Sequence, residues 1–368
     1  MHHTLHKLFA TVTTTLLFTA IAIADTPSAS DRDWLQSNTK AVNETIIKPY
    51  HQLAHRTKKL NHAVSQLCSA IEPKNDKDNA QLAFRFMFQQ WARVQFVAIG
   101  PMAYLQRTER FQYWPDKHAV ASRQLRRLLQ QETNKHRNKQ PLLTLAQLQK
   151  KSVAVQGIPA LERLLFNTKD SFSEVECHLA KIISQNLHVI AQENIDAWIQ
   201  APTLFVNEMI HIERGFGVYE SNKQVANLLF NMLSTQLLVI DQLKLQRALP
   251  KEGKPSKPTR LEAWKSQLSL YLIQENIYSL QQLYQHGFHT HLKQKNSRTA
   301  KRIMVEFHQI NALLKHSSLP LVEYINTASI HPTIKKILSK LSTLQALINT
   351  NMANELQLMT KFNALDGD

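Results

Sequence analysis

Glycine is scarce, with 7 residues in 368, under a third of the usual share of ~7%. Tight hairpins, bulges and phosphate-cradling loops depend on glycine's backbone freedom. The shortage argues against a β-sandwich, a propeller or a doubly wound nucleotide fold. Gly215-Phe-Gly217 lacks the third glycine and the preceding strand of a dinucleotide loop. Only two cysteines are present, too few for a disulfide-built scaffold. The apolar share of 43% is ordinary, which argues against a disordered or collagen-like chain. No Gly-x-Ser-x-Gly elbow and no His-Glu-x-x-His step occurs, so the usual serine-hydrolase and zinc-protease signatures are missing. Acidic residues are also few: 28 against 44 Lys and Arg, a formal charge of +16. Such an excess suits contact with a polyanion, and equally a solvated surface that repels itself.

The first 24 residues read as an address. Lys7 and three histidines precede an apolar run from Leu8, and Ala22-Ile23-Ala24 offers a small-x-small cleavage site before the polar Asp25–Ser30. This is the layout of a secretory signal peptide. The run is ~17 residues long and diluted by threonine, short of the ~20 needed to span a bilayer. No later stretch is apolar enough to span, so an integral membrane protein is not expected. Export to an oxidising compartment favours one disulfide between Cys68 and Cys177, with two separate thiols as the alternative.

Helical periodicity dominates the remainder, and no strict alternation is long enough to argue for a sheet. Val225, Leu228, Leu229, Met232, Ile240 and Leu243 form one apolar stripe. Ile334, Ile337, Leu338, Leu341, Leu344, Ile348, Met352 and Leu356 form another. A third begins at Leu261, Trp264, Leu268, Tyr271 and Leu272. Residues 82–99 are apolar nearly all round, which predicts a central helix. Glu132–Pro141 reads as a loop, Leu249–Pro258 cannot continue a helix, and Ala201-Pro202 ends one near Trp198. The fold class expected is all-α, with two helical-bundle lobes and a cleft between them. The lobes are 25–202 and 203–368, after a signal peptide at 1–24.

Candidate chemistry is sparse. Glu208 and His211 form one Glu-x-x-His step, but a di-iron bundle needs a second, and none is present. His286, His289 and His291 cluster in six residues and could hold a transition metal or simply form an exposed turn. Tyr113-Trp114-Pro115-Asp116 sets an indole, a proline and a carboxylate together before a helix that carries Arg123. Asp116 is either a site residue or an N-cap. Gln156–Glu162 breaks a helix at Gly157 and Pro159 and restarts it with Glu162 in the first turn. There a carboxylate is either functional or a partner of the helix dipole. Arg260–Trp264 opens the third stripe with mixed charge and an indole. The terminal Phe362–Asp368 offers Asn363, Asp366 and Asp368, oxygen donors of the kind hard cations take.

Together these strings resemble the imelysin-like family, above all its branch of periplasmic proteins. The matching pieces are Ile99–Pro101, Tyr113–Asp116, Ser152–Phe166, Glu262–Ser266 leading to Asn276, and Phe362–Asp368, and the family's domain would span roughly 35–368. The resemblance implies a two-lobed all-helical fold, export to the periplasm and a link with iron uptake. It also implies a Gly-x-His-x-x-Glu motif at a site between the lobes. By position the glycine is Gly157 and the glutamate Glu162, but the histidine is Pro159, which can neither ligate a metal nor move a proton.

The reading that follows is a non-catalytic periplasmic binding protein. Its ligand-binding residues would be Trp114, Asp116, Arg123, Gly157, Pro159, Glu162, Trp264 and Asn363. Iron or another divalent cation would be held by Glu162, Asp366 and Asp368. The expected partners are a metal ion or a small polar ligand, with envelope transport or redox proteins, and no nucleic acid. The alternatives are a metal-dependent peptidase, weakened by Pro159, and a basic module for anionic envelope polymers.

Overall fold

The structure is a computed structural model that describes residues 29–69, 73–116, 118–168, 172–200, 204–212, 217–250, 255–317, 320–325 and 331–359. The signal-peptide reading of residues 1–24, the lobe boundary at Pro202 and the terminal Asn363, Asp366 and Asp368 lie outside them. All regular structure in the described residues is helical, as the glycine shortage and the stripes require.

In chain order the helices are α1 (Ala29–Val42), α2 (Lys48–Leu67), α3 (Pro73–Ala92), α4 (Arg107–Phe111), α5 (Val120–Arg137), α6 (Leu145–Leu148), α7 (Ile158–Leu165) and α8 (Glu174–Ile199). They continue with α9 (Asn207–Ile210), α10 (Asn222–Leu238), α11 (Ser269–Gly287), α12 (His289–Lys295), α13 (Ser297–Lys315), α14 (Leu321–Ile325), α15 (Pro332–Ala346) and α16 (Ala353–Leu356). No helix among the described residues is long and apolar enough to cross a membrane.

Local chemistry explains several ends. Ser173 accepts the Glu176 N–H while the Glu176 carboxylate accepts the Ser173 N–H, a reciprocal capping box that starts α8. Ser221 and Asn296 cap α10 and α13 in the simpler way. Helix α8 stops at Ile199, just before Ala201-Pro202.

The two long apolar stripes are helical but not straight-register. A π-turn over Val239–Leu245 extends α10, and another over Leu347–Met352 joins α15 to α16. Each adds a residue to one turn and rotates the buried face. A third π-turn, Asn43–Ile47, fuses α1 to α2.

Helix α2 packs between α3 and α8, and α11 packs against α1, α3, α10 and α13. Buried apolar residues from Trp34 to Leu358 form one continuous cluster. Cys68, just past α2, is bonded to Cys177 in the first turns of α8, with Cα atoms 5.4 Å apart. The disulfide therefore staples two helices that already pack together. Gly100 is needed where it stands: its φ is +73°, and a Cβ there would meet the Trp198 ring at 2.6 Å.

Three expectations need correction. Helix α3 ends at Ala92, well before Ile99, and its face is not apolar all round in use: Leu82 and Phe86 are 47% and 37% exposed. Helix α5 runs to Arg137 through the segment read as a loop. It does so because buried Glu132 binds Lys135 at 2.7 Å and the Leu143 N–H at 2.8 Å, tying the helix to the chain that follows. The third stripe does not start a helix at Leu261. Residues 261–268 wind through a loop with positive φ at Ala263 and Gln267, and α11 begins at Ser269.

Candidate functional site

A cleft of about 360 Å³ opens where four stretches meet: Gln112–Asp116 after α4, the start of α5, the start of α7 and the loop at Thr259–Trp264. Sequence reasoning named five of its lining residues: Trp114, Asp116, Pro159, Glu162 and Trp264. Two others stand apart. Arg123 is exposed, donates to the His118 carbonyl and does not line the cleft. Gly157 sits behind the wall. A Cβ there would lie 2.2 Å from the Phe111 carbonyl oxygen, so the glycine allows the α7 start to press on the end of α4.

Glu162 is the centre of the arrangement. It occupies the second turn of α7, one turn later than the sequence suggested, because the helix already begins at Ile158. That register puts Pro159 and Glu162 three residues apart on one face, both lining the cleft. Glu162 is 4% exposed. Its Oε1 accepts the Ser266 N–H at 2.9 Å and the Ser266 hydroxyl at 2.6 Å. Burial pushes its carboxyl above the ordinary range, while Ser266, Arg163 and Lys265 pull it back. The loop at 261–268 is thus fastened to α7 through this one carboxyl group.

Asp116 is not the N-cap residue of α5, which is Ala119, but it reaches the same N–H groups from upstream. Its Oδ1 accepts the Val120 N–H at 2.7 Å and its Oδ2 the Ala121 N–H at 3.1 Å, closing the N-terminus of α5. Arg163, absent from the sequence-derived set, lies 3.9 Å from Asp116 and is held by Ser122 at 2.8 Å and the Pro159 carbonyl at 2.7 Å. Burial lowers its guanidinium from its ordinary value, opposed by Glu162 and Asp116. Arg260 and His118 also line the cleft. Behind them Arg247 is lowered by burial and by the like charge of Arg260, opposed by Asp116. The rim is therefore basic.

Beneath Trp114 lies a polar network that takes in Glu262 and Asn276, both in the family-like strings, together with Gln95, Gln112 and Lys244, which no motif announced. Lys244 and Glu262 pair at 2.5 Å, each side chain 2% exposed. Gln95 and Gln112 both donate to Glu262 Oε1 at 2.7 Å, and Lys244 also donates to Gln95 Oε1 at 2.7 Å. The Asn276 amide donates to Gln95 and to the Ala92 carbonyl, and Trp91 donates to Gln112. The Lys244 ammonium sits 5.9 Å from the Trp114 ring centroid. One signal was available: Lys244 continues the buried stripe of Leu237 and Ile240 at helical spacing.

The donor set does not fit a resident cation. No three His, Cys, Asp or Glu side chains converge among the described residues. In the cleft, both Asp116 oxygens and Glu162 Oε1 already accept hydrogen bonds, Arg163 offsets the charge of the two carboxylates, and Pro159 offers no ligand. The other proposed ligands, Asp366 and Asp368, lie outside the described residues, as does the proposed ligand-binding Asn363. Elsewhere the histidines diverge. His291 bonds Ser37 at 2.9 Å and stacks on Trp34, His289 meets the Tyr284 hydroxyl at 3.3 Å, and His286 faces a separate hollow. Helix α9 ends at Ile210, so Glu208 and His211 do not share a helix face.

Residues 46–348 match the family model for imelysin, peptidase M75. The chain belongs to the imelysin family. Its fold is that of solved imelysin-like structures. One is an imelysin-like protein from Psychrobacter arcticum 273-4, with TM-score 0.76 and 19% identity over 91% of this chain and 99% of that one. Another is a proposed iron-regulated protein A precursor from Parabacteroides distasonis ATCC 8503, with TM-score 0.73 and 14% identity over 91% of this chain and 97% of that one. No curated protein matches. At these identities the imelysin structures establish the shared fold alone.

Proposed function

We propose that this imelysin is a periplasmic binding protein whose cleft, lying between two lobes, takes a small organic anion. The observation that carries the reading is the composition of the cleft. One buried carboxyl, fixed by Ser266, faces a pocket of about 360 Å³ walled by Trp114 and Trp264 and rimmed by Arg163 and Arg260. Flat indoles hold an apolar body, the guanidiniums attract an anionic head, and Glu162 orients a polar group. A volume of this size suits a metabolite rather than a peptide chain. The disulfide fits an exported, oxidised protein.

Direct capture of iron is the second reading, favoured by the likeness to the Parabacteroides protein, whose name is that of an iron-regulated protein. In that reading Glu162 acts with Asp366 and Asp368, and the ion is cargo.

Indole fluorescence of the tag-free protein, titrated with citrate, ferric citrate and ferrous sulfate, separates the two. Native mass spectrometry of protein recovered from the periplasm accompanies it. The first reading expects an organic adduct, and a response to citrate or its ferric chelate that is lost in Glu162→Ala and Trp264→Ala. A response to ferrous ion alone transfers the case to direct capture. No adduct and no response to any probe rejects a binding role for the cleft.

A further inference from the structure

A second polar groove runs across α2, α3 and α11, built separately from the cleft. It consists of two adjoining hollows, about 560 Å³ and 150 Å³, which share Gln52 and Arg93. Three helices each lay one stripe along it. Lys48, His51, Gln52, His55 and Arg56 follow helical spacing on α2. Phe86, Gln89 and Arg93 do so from α3 onward, and Tyr278, Gln282 and His286 on α11.

The groove combines three chemistries. Arg56 stands 5.0 Å from the Phe86 centroid and Arg93 5.0 Å from the Tyr278 centroid, yet these rings stay 37% and 43% exposed. Arg56 and Arg93 both line the larger hollow, so two guanidiniums share this face. The acids facing them are few. Glu275 is taken by Arg93 at 2.7 Å and Gln89 at 2.8 Å, and Glu44 by Lys48 at 3.1 Å. Arg56 has no carboxylate partner among the described residues. Glutamine amides fill the space between.

We infer that this groove binds an anionic saccharide chain. Exposed ring faces stack on the C–H faces of sugars. Amides pair with hydroxyls, and the Arg56 guanidinium, free of any described carboxylate, takes a carboxylate or phosphate substituent. A single-stranded nucleic acid would use rings and cations in the same way, but the disulfide indicates an oxidising compartment where saccharides, not nucleic acids, are the available polyanions.

The test is isothermal titration of the full chain with an oligogalacturonate hexamer at low and at physiological salt. Binding should weaken with salt, and Arg56→Glu and Phe86→Ser should each lower affinity about tenfold. Both sites are on the surface, and circular dichroism melts confirm that the variants fold. The single variant Arg126→Glu makes the same charge change at an exposed position on α5 and should leave affinity within about twofold. Equal loss in that control overturns the location. Equal affinity for polyglutamate or oligo(dT) overturns the saccharide class. No binding at low salt overturns the site.

Discussion

Replacing Lys244 by Met tests the network that supports the cleft wall. Methionine nearly matches the length of the lysine stem, so the change removes the ammonium and little packing. Glu262 would keep the amides of Gln95 and Gln112 on Oε1 but lose the only group among the described residues bonded to Oε2. With both side chains 2% exposed, water cannot replace the missing cation. Breaking a buried pair from one side costs about 3–5 kcal/mol. A chain of this length has an unfolding entropy near 0.8 kcal/mol per kelvin, so the melting temperature should fall by about 4–7 °C. Thermal and urea unfolding at pH 7 measure it. Lys244→Met combined with Glu262→Gln removes both charges, and its loss should be smaller than the sum of the singles by at least about 1 kcal/mol. The indole signal from Trp264 should shift in the single variant, since Glu262 stands two residues before it. A drop under about 1 °C, or strict additivity, would refute the claim that this pair is a desolvated, mutually dependent unit.

Three further outcomes are expected. Glu162 has a carboxyl value raised in the folded chain by burial, so its contribution is favourable below the ordinary value of 4.5 and is lost as pH rises through the folded value. Glu162→Gln should therefore melt higher than wild type at pH 7–8, with the gap closing at pH 4; a gap that widens toward acid would reverse the assignment. Gly157→Ala must displace the Arg110 and Phe111 carbonyls, which lie 2.4 and 2.2 Å from the new Cβ, and should cost about 3 kcal/mol or more in urea unfolding. Reducing the disulfide, or Cys68→Ser with Cys177→Ser, opens a loop of 109 residues and should lower stability by up to about 4–5 kcal/mol; an unchanged urea midpoint would mean that the bond constrains nothing that helix packing does not.

The fold class was readable because it rests on repeated, local signals. Apolar stripes at helical spacing marked α10 and α15, and Pro202 marked the end of α8. What failed was register and side-chain company. The π-turns at Val239–Leu245 and Leu347–Met352 are insertions of a single residue that leave no mark in composition. Residues 261–268 carry helical spacing of Leu261, Trp264 and Leu268, yet tertiary contacts override it. Ser266 gives its N–H and hydroxyl to Glu162, 104 residues earlier, and the chain turns through two left-handed residues to do so. A hydrogen bond of that sequence separation outweighs local propensity and cannot be read from a window.

The same reasoning explains the uneven reading of the site. Trp114, Asp116, Pro159, Glu162 and Trp264 stood out because each is chemically unusual beside its neighbours. Arg163, Ser266 and Lys244 did not, because their roles depend on partners far along the chain. Asp116 illustrates the cost of judging a residue by type. It lines the cleft, yet both oxygens are committed to the N-terminus of α5, so removing it would disturb the cleft by loosening a helix. Glu162 differs in that its committed oxygen faces a serine on a loop, and no described residue donates to its Oε2. A carboxyl buried by its neighbours, fixed through one oxygen and lining the cleft is shaped to meet something that arrives from outside, and it holds that position against its own desolvation.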